Sequence, residues 1–376
     1  MEKTIELKGR IDSTNSSEIE KEIKGKIENY KGTIIFDASK LEYISSAGLR
    51  IILNVKKLND DTKVINCTSD IYEIFDMTGF VEMMDISKAY RKISIKNCEK
   101  IGEGANGIVY RIDPETIVKV YKNEDSLDDI KHEIKLAKKA FVMGIPTAIP
   151  YDIVRVDNLY GSVFELLNAT SFTKLINDGE DVDELVKKSV ETLKAIHNTM
   201  LKPNELPSKN KEGIKWAEKC AEHLPKKIGE KLIKLFQEIP ETNNMLHGDY
   251  HTKNILLQKN EIILIDMDTL SMGNPIFEFA VIFGVYKGYE CVDENNPSEF
   301  IEISKEKCNE IWEKTFKYYF EDKDEKYIQS IIEKAKIISY TLIMKRKLKR
   351  KEEQYVVDYC KKYLTENVPK IDKLYF

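Results

Sequence analysis

Two neighbouring segments carry the residue types that phosphoryl transfer would need. They are His247-Gly-Asp-Tyr-His-Thr-Lys-Asn254 and Ile265-Asp-Met-Asp268. Such chemistry depends on positioning and charge neutralisation, with acidic or amide ligands for Mg²⁺ and a base that faces the acceptor hydroxyl. Asp249 could accept the hydroxyl proton or orient the nucleophile, and Asn254, five residues later, could bind Mg²⁺. Asp266 follows a strand-like stretch and is the second candidate metal ligand.

A glycine-rich segment further upstream could hold the phosphates of a nucleotide. Its three glycines follow the pattern G-x-G-x-x-G and are Gly102, Gly104 and Gly107. A tight hairpin would use glycines equally well, but strand patterns on both sides favour the kinase type of loop over the dinucleotide-binding type. Lys119, on the third strand, is placed to hold the α- and β-phosphates. Glu133, in the middle of the next helix, is its expected partner, with Asp128 and Asp129 as alternatives.

The surrounding pattern predicts three regions. Residues 1–90 alternate strands with amphipathic helices, which is typical of an α/β layer fold. Residues 91–168 are rich in strands, and we expect Lys92–Ile95 and Ile101–Tyr110 to contribute a β-hairpin. Residues 169–376 are mainly helical, with two short strands around the proposed catalytic loop. We expect the first region to join the second directly near residues 88–95, because no Pro- or Ser-rich linker separates them.

Composition restricts the classes of protein that this chain can represent. It has 376 residues and a net charge of −5, so no global basic surface argues for nucleic acid. No stretch approaches the roughly 20 consecutive apolar residues of a membrane span. The six cysteines are scattered without a C-x-x-C pair, which gives neither a zinc pattern nor a secreted disulfide pattern. The N-terminus resembles a strand instead of a signal peptide, so we expect a cytoplasmic protein.

From about residue 97 to 376, the chain resembles the aminoglycoside phosphotransferase and choline kinase group of small-molecule kinases. H-G-D-x-H-x-x-N followed by I-D-x-D is the motif pair of that group. The resemblance implies a bilobal protein kinase-like fold with a β-rich N-lobe and a mostly helical C-lobe. It also implies Asp249 as the catalytic base and Asn254 and Asp266 as metal ligands. The backbone of the hinge at Glu165 and Leu167 would hold adenine.

The resemblance assigns lesser roles to other residues of these motifs. Asp268 is a weaker auxiliary metal candidate, and His247 and His251 are expected to be loop scaffold. Asn274 and Glu278 stand where the group usually has Asp, a departure that should affect loop packing more than chemistry. Protein kinases carry an activation loop after the second metal ligand, but here Pro275 follows almost at once. A small-molecule acceptor is therefore favoured over a protein acceptor.

Residues 2–88 resemble the STAS domain of anti-sigma factor antagonists. The resemblance rests on the segments 37–50 and 76–80 of the sequence. In that family a serine at the start of the second helix can be phosphorylated, and Ser46 occupies this position. A helix N-terminus accommodates a phosphate well, and the added charge remodels a partner surface. The alternative is that Ser45 or Ser46 only caps the helix, and Ser45 and Ala47 depart from the usual D-S-[ST]-G pattern.

Together these features predict a kinase that uses ATP or GTP and Mg²⁺. Its acceptor would be a hydroxyl of a small polar molecule such as an aminoglycoside, an aminosugar or an amino alcohol. The acidic residues within 290–302 could line a pocket for a cationic acceptor, although acid-rich loops are usually just solvated. The alternative is a regulatory protein whose STAS-like part binds a signalling partner and whose kinase-like part senses nucleotide. A third hypothesis is that the kinase-like part phosphorylates Ser46.

Overall fold

The computed structural model describes residues 2–104, 106–290, 296–348, 350 and 353–376. The chain divides into two compact units. The first comprises Met1–Lys96 with Ile153–Gly161, and the second comprises Asn97–Asp152 with Ser162–Phe376.

The first unit is an α/β domain. Its elements are β1 (Glu2–Ile11), α1 (Ser16–Ile27), β2 (Thr33–Ile44), α2 (Ser46–Leu58), β3 (Thr62–Cys67), α3 (Ser69–Met77), α4 (Phe80–Met83), β4 (Asp85–Lys88) and β5 (Arg91–Lys92). Strands β1 to β4 form one parallel sheet in the order β1-β2-β3-β4. Its core lies between this sheet and the apolar faces of the helices, as the alternating strands and helices predicted.

The second unit begins with strands and one long helix. These are β6 (Glu99–Glu103), β7 (Gly107–Asp113), β8 (Thr116–Tyr121), α5 (Leu127–Val142), the end of β10 (Leu159–Glu165) and β11 (Thr170–Ser171). Strand β9 (Asp152–Val156), apart from Asp152, and the first three residues of β10 belong to the first unit. Strands β6, β7 and β8 form an antiparallel meander. Strand β8 is also hydrogen-bonded to β10, whose residues Ser162–Glu165 belong to this unit.

The rest of the second unit is predominantly helical. Its elements are α6 (Phe172–Asn177), α7 (Val182–Asn198), α8 (Lys209–Ala221), α9 (Lys226–Gln237), β12 (Met245–Leu246), β13 (Ile255–Gln258), β14 (Glu261–Leu264), β15 (Ser271–Met272), α10 (Ile276–Phe283), α11 (Asn296–Ile301), α12 (Lys305–Tyr319), α13 (Glu325–Lys347) and α14 (Gln354–Asn367). Short 3-10 helices cover Met267–Thr269 and Val368–Lys370, and a π-helix covers Gly284–Gly288. Among the described residues, none of the helices combines the length and apolar character that crossing a bilayer would require.

One predicted pairing is wrong. Lys92–Ile95 does not form a strand beside the glycine-rich segment, because only Arg91–Lys92 is extended and it pairs in parallel with β9. The strand that pairs with β7 starts at Glu99. Between the two strands, Asn97 has a φ of 68°, a left-handed conformation that turns the chain before β6.

Helix α10 is the apolar centre of the second unit. Its Phe279 side chain is fully buried and packs against the rings of Phe316, Tyr319 and Phe320 at centroid distances of 5.1, 4.8 and 5.2 Å. Aromatic contacts of this kind add to the free energy gained from burial. The cluster fixes α10 in the core, which matters because the residue before Phe279 contacts the loop at His247–Asn254.

Candidate active site

The loop between β12 and β13 lies very close to the 3-10 helix Met267–Thr269. Gly248 has a φ of 84°, and a Cβ atom there would lie 2.5 Å from the carbonyl oxygen of Thr269. The Thr269 hydroxyl donates a 2.8 Å hydrogen bond to the carbonyl oxygen of His247. A side chain at position 248 would force the two segments apart, which accounts for glycine at this place in the motif.

Asp249 and Asn254 lie together in this loop. The Asn254 amide donates to the carbonyl oxygen of Asp249 at 3.0 Å and to its carboxylate oxygen Oδ2 at 3.1 Å. Asn254 is buried, whereas 36% of the Asp249 side chain is exposed. Burial alone would raise the pKa of Asp249, but the hydrogen bond from His251 and the nearby imidazoles hold that pKa below its usual value. The carboxylate is therefore ionised at neutral pH and can accept a proton.

Lys119, Glu133 and Asp266 converge from distant parts of the sequence. The Lys119 ammonium is 3.1 Å from Glu133 Oε1 and 3.1 Å from Asp266 Oδ1. Glu133 lies on the buried face of α5, whereas Asp128 and Asp129 belong to its first turn. Burial would lower the pKa of Lys119, but the two carboxylates outweigh this effect and raise it. Lys119 is thus a fixed cation at a point where the phosphates of a nucleotide could bind.

Tyr121 belongs to the same constellation, although sequence reasoning did not find it. Its hydroxyl donates a 2.7 Å hydrogen bond to Glu133 Oε2 and lies 3.2 Å from the Ser162 hydroxyl. Residues i and i+2 of a strand point to the same side, so Tyr121 follows Lys119 on one face of β8. That spacing was the signal that could have identified it. Tyr121 therefore positions the Glu133 carboxylate, which in turn positions the Lys119 ammonium.

The carboxylates around Asp266 create a surplus of negative charge that suits a divalent cation. Burial, together with the charges of Asp266 and Glu133, raises the pKa of Asp268 to about 7. Mg²⁺ is usually held by one or two carboxylates with water and phosphate oxygens. Asp266, whose side chain is 35% exposed, and the Asn254 amide oxygen fit that requirement. Within the described residues no group of three or more His, Cys, Asp or Glu side chains could hold a metal.

Glu278 fixes the backbone of the loop at His247–Asn254. Its buried carboxylate accepts hydrogen bonds from the backbone N–H of His247 at 2.7 Å and of Gly248 at 3.0 and 3.2 Å. Burial would raise the pKa of Glu278, but the adjacent His197 imidazole and these loop contacts lower it. Glu278 thus acts on the packing of this loop as a buried anion that binds the backbone N–H groups of His247 and Gly248.

The three glycines of the upstream segment differ in their surroundings. The Gly104 N–H donates to the Gly107 carbonyl at 2.9 Å and closes the turn. A Cβ atom on Gly107 would lie 2.7 Å from the carbonyl oxygen of Val120, whereas one on Gly104 would meet nothing within 4 Å and one on Gly102 only Val109, at 3.9 Å. Close strand approach therefore requires glycine at position 107, and the space beside Gly104 could admit a phosphate.

The proposed hinge follows the end of β10. Glu165 is its last residue, and the next N–H, that of Leu166, donates a 2.7 Å hydrogen bond to the carbonyl oxygen of Glu115. The segment is thus tied to the β7–β8 turn. Adenine recognition by the backbone of Glu165 and Leu167 stays a prediction.

The acidic segment that was considered for a cationic acceptor is only partly described, because residues 291–295 lie outside the described ranges. At its two ends the acids already have basic partners. Glu290 lies 3.3 Å from the Lys287 ammonium, and Glu302 lies 2.7 Å from that of Lys253. These two carboxylates are therefore at least partly neutralised by the chain itself.

In the first unit, the two serines at the start of α2 have separate roles. The Ser45 hydroxyl accepts a 3.2 Å hydrogen bond from the N–H of Ala47 and is the helix cap. Ser46 is the first residue of α2 and is exposed. The capping function is therefore fulfilled by Ser45, which leaves the Ser46 hydroxyl accessible.

The antiparallel strands, the Lys119–Glu133 pair on β8 and α5, and the loop before β13 define a kinase-like phosphotransferase fold. A family model described as the phosphotransferase enzyme family (APH) matches residues 97–297, more than half of the chain. The chain belongs to this family. A STAS domain model matches residues 3–93.

Individual relatives and solved structures resemble parts of the chain. A protein named as an anti-sigma factor antagonist, BtrV of Bordetella bronchiseptica (strain ATCC BAA-588 / NCTC 13252 / RB50), is 26% identical over 87 residues, or 22% of this chain and 75% of the relative. Among solved structures, an apo thermostable mutant of aminoglycoside phosphotransferase APH(4)-Ia is 12% identical, covers 73% of this chain and 94% of its own, and has a TM-score of 0.52. A second such mutant, in a ternary complex with AMP-PNP and hygromycin B, is 13% identical, with coverages of 73% and 93% and a TM-score of 0.51. At these identities the structural matches establish the fold alone.

Proposed function

We propose that this protein transfers the γ-phosphate of ATP or GTP to a hydroxyl of a small polar molecule, such as an aminoglycoside, an aminosugar or an amino alcohol. One observation carries the proposal. The ionised Asp249 is hydrogen-bonded to Asn254, and in the same unit Lys119 lies between Glu133 and Asp266. These are the parts that phosphoryl transfer needs. The similar APH(4)-Ia mutant was solved with AMP-PNP and hygromycin B, which supports a nucleotide and a small hydroxylated acceptor here.

Each residue has a role that its surroundings support. Asp249 accepts the proton of the acceptor hydroxyl, because its carboxylate is ionised and partly exposed. Lys119 places a positive charge on the phosphates, and Glu133 holds it there. Asn254 and Asp266 would hold Mg²⁺, which neutralises charge on the transferred phosphoryl group when it is bound.

The test is transfer from labelled ATP or GTP, with Mg²⁺, to a panel of aminoglycosides, aminosugars and amino alcohols. We expect one class of acceptor to become labelled, and Asp249→Asn to reduce the rate by about 100-fold or more, as loss of a general base does. Asp322→Asn, at an exposed position, is the matched control and should retain the full rate. Binding of nucleotide without transfer to any acceptor would overturn the proposal.

A second function is favoured by the STAS match over residues 3–93 and by the exposed Ser46. In it the protein regulates a signalling partner through the first unit, and the second unit senses nucleotide. Calorimetry would then show nucleotide binding, and the panel would show no labelled acceptor. Label on the protein itself that is lost in Ser46→Ala would instead show that the kinase-like unit phosphorylates the STAS domain.

A further inference from the structure

His251 lies two residues after Asp249 and contacts its carboxylate. The imidazole is buried, with 4% of its side chain exposed, and its Nε2 atom is 3.3 Å from Asp249 Oδ2. The same Nε2 atom is 3.4 Å from the Asn254 side-chain nitrogen. His247, the other histidine of the motif, has a different partner, because its Nδ1 accepts from the N–H of Asp249 at 3.3 Å. The two histidines therefore have distinct functions in the loop.

The protons at this contact can be assigned from the available donors. Asn254 has two side-chain N–H groups, and both are directed at Asp249, one to its carbonyl oxygen and one to Oδ2. A flipped amide would place an oxygen against these two acceptors, so this orientation is fixed. Asn254 thus has no further N–H for His251, and the ionised carboxylate is only an acceptor. This leaves Nε2 of His251, 3.3 Å from Oδ2, as the atom that would carry a proton toward that oxygen.

The two oxygens of the Asp249 carboxylate are consequently inequivalent. Oδ2 accepts an N–H group of Asn254 and lies 3.3 Å from Nε2 of His251, whereas among the described residues none donates to Oδ1. We propose that His251 is a positioning residue that, together with Asn254, fixes Oδ2 and leaves Oδ1 as the oxygen that accepts the proton of the acceptor. The catalytic part of this inference rests on the proposed function, whereas the contact between His251 and Asp249 does not depend on it.

Fixing the carboxylate matters because its last torsion is otherwise broad. A general base must approach the hydroxyl to about 2.6–3.2 Å, and a displacement of about 1 Å can reduce a rate by roughly 100-fold. Two donors on one oxygen prevent that rotation. The same arrangement keeps the Asn254 amide nitrogen on Asp249, so that the Asn254 amide oxygen remains available to a cation.

The first test is spectroscopic and does not require turnover. The chain has five histidines, so nuclear magnetic resonance of protein labelled with ¹³C and ¹⁵N in histidine is practical. His251→Gln identifies the signal of His251 by its loss. We expect the tautomer with hydrogen on Nε2, and a shift of this signal in Asp249→Ala. Hydrogen on Nδ1 alone would overturn the inference.

The second test is kinetic and uses two substitutions. The Gln side chain can place an N–H near the position of Nε2, whereas Leu cannot. We expect His251→Leu to lower kcat by about 10- to 100-fold with little change in the KM for nucleotide, and His251→Gln to restore the rate to within about 5-fold of the native protein. His223→Leu, at an exposed histidine, is the control.

The outcomes separate the two proposals. Equal loss of activity in the Gln and Leu variants, or a change in nucleotide KM alone, would show a merely structural role for His251. If the native protein phosphorylates no acceptor, the proposed function fails and the catalytic part of this inference fails with it. The tautomer measurement would still decide whether the contact with Asp249 exists.

Discussion

Glu278→Gln tests whether a buried anion holds the catalytic loop. The carboxylate receives the N–H groups of His247 and Gly248 over three contacts of 2.7 to 3.2 Å. Hydrogen bonds to a charged group contribute roughly 1.5–3 kcal/mol and neutral ones about 0.5–1.5 kcal/mol. In the Gln variant, each of the two hydrogen bonds should lose about 1 kcal/mol. The Gln amide N–H would also face the N–H of Gly248. We therefore expect a loss of about 2–3 kcal/mol in the free energy of unfolding.

Urea unfolding followed by tryptophan fluorescence measures this loss. Both tryptophans, Trp216 and Trp312, lie in the second unit, so the signal reports on the unit that contains Glu278. The exposed Glu313→Gln, on α12, is the control and should change the free energy of unfolding by less than about 0.5 kcal/mol. A loss in Glu278→Gln of less than about 0.5 kcal/mol at pH 7 would refute the reasoning.

The dependence on pH gives a second check on Glu278. Its pKa is lower in the folded protein than its ordinary value, so the folded state favours the ionised form. The stabilisation is then complete above the unfolded-state pKa of about 4.3 and is lost as the pH falls through the lower folded-state value. The difference between the native protein and Glu278→Gln should therefore be constant from pH 6 to 8 and shrink below about pH 5. A difference that stays constant at lower pH would contradict the assignment.

Three further predictions concern the other contacts. Lys119→Met should weaken nucleotide binding by at least about 10-fold, as measured by calorimetry, because it removes the cation that would contact the phosphates. Unchanged affinity would exclude a role of Lys119 in phosphate binding. Tyr121→Phe should destabilise the second unit by about 1–2 kcal/mol in urea, since Glu133 loses a buried donor, and should weaken nucleotide binding several-fold; loss of neither would show that the hydroxyl is dispensable. Ser45→Ala should destabilise the first unit by about 1 kcal/mol, seen as faster hydrogen exchange in α2, whereas Ser46→Ala should change it by less than about 0.5 kcal/mol. Equal effects would contradict the assignment of the cap to Ser45.

Local patterns sufficed for much of the fold. The alternation of strands and helices predicted the α/β character of the first region, because helix and strand periodicities depend on neighbouring residues. The position of Glu133 has the same origin, since it shares the buried face of α5 with Ile130 and Leu136. The prediction for Lys92–Ile95 failed because its apolar alternation is compatible with a strand, whereas the strand that Arg91–Lys92 pairs with, β9, lies far along the chain.

The contacts that local patterns could not predict are those between distant segments. Glu278 reaches the catalytic loop across 31 residues, and the Asp266–Lys119 pair spans 147 residues. In the sequence alone, Glu278 is simply a residue that departs from the usual Asp. Its function depends on how α10 is oriented in the core, which is set by the aromatic rings around Phe279. The partners in that packing, Phe316 and Tyr319, belong to α12, so the orientation of Glu278 cannot be predicted from α10 alone.

The motif at residues 247–254 and the motif at residues 265–268 are joined by hydrogen bonds. Asp266 has a left-handed backbone, with φ and ψ of 62° and 63°, which an Asp tolerates better than most residues. On one side of it, the N–H of Ile265 donates to the Asn254 carbonyl at 3.0 Å. On the other, the chain turns into the 3-10 helix whose Thr269 hydroxyl bonds to His247. The loop that carries Asp249 is therefore held at both ends by hydrogen bonds from the segment that carries Asp266.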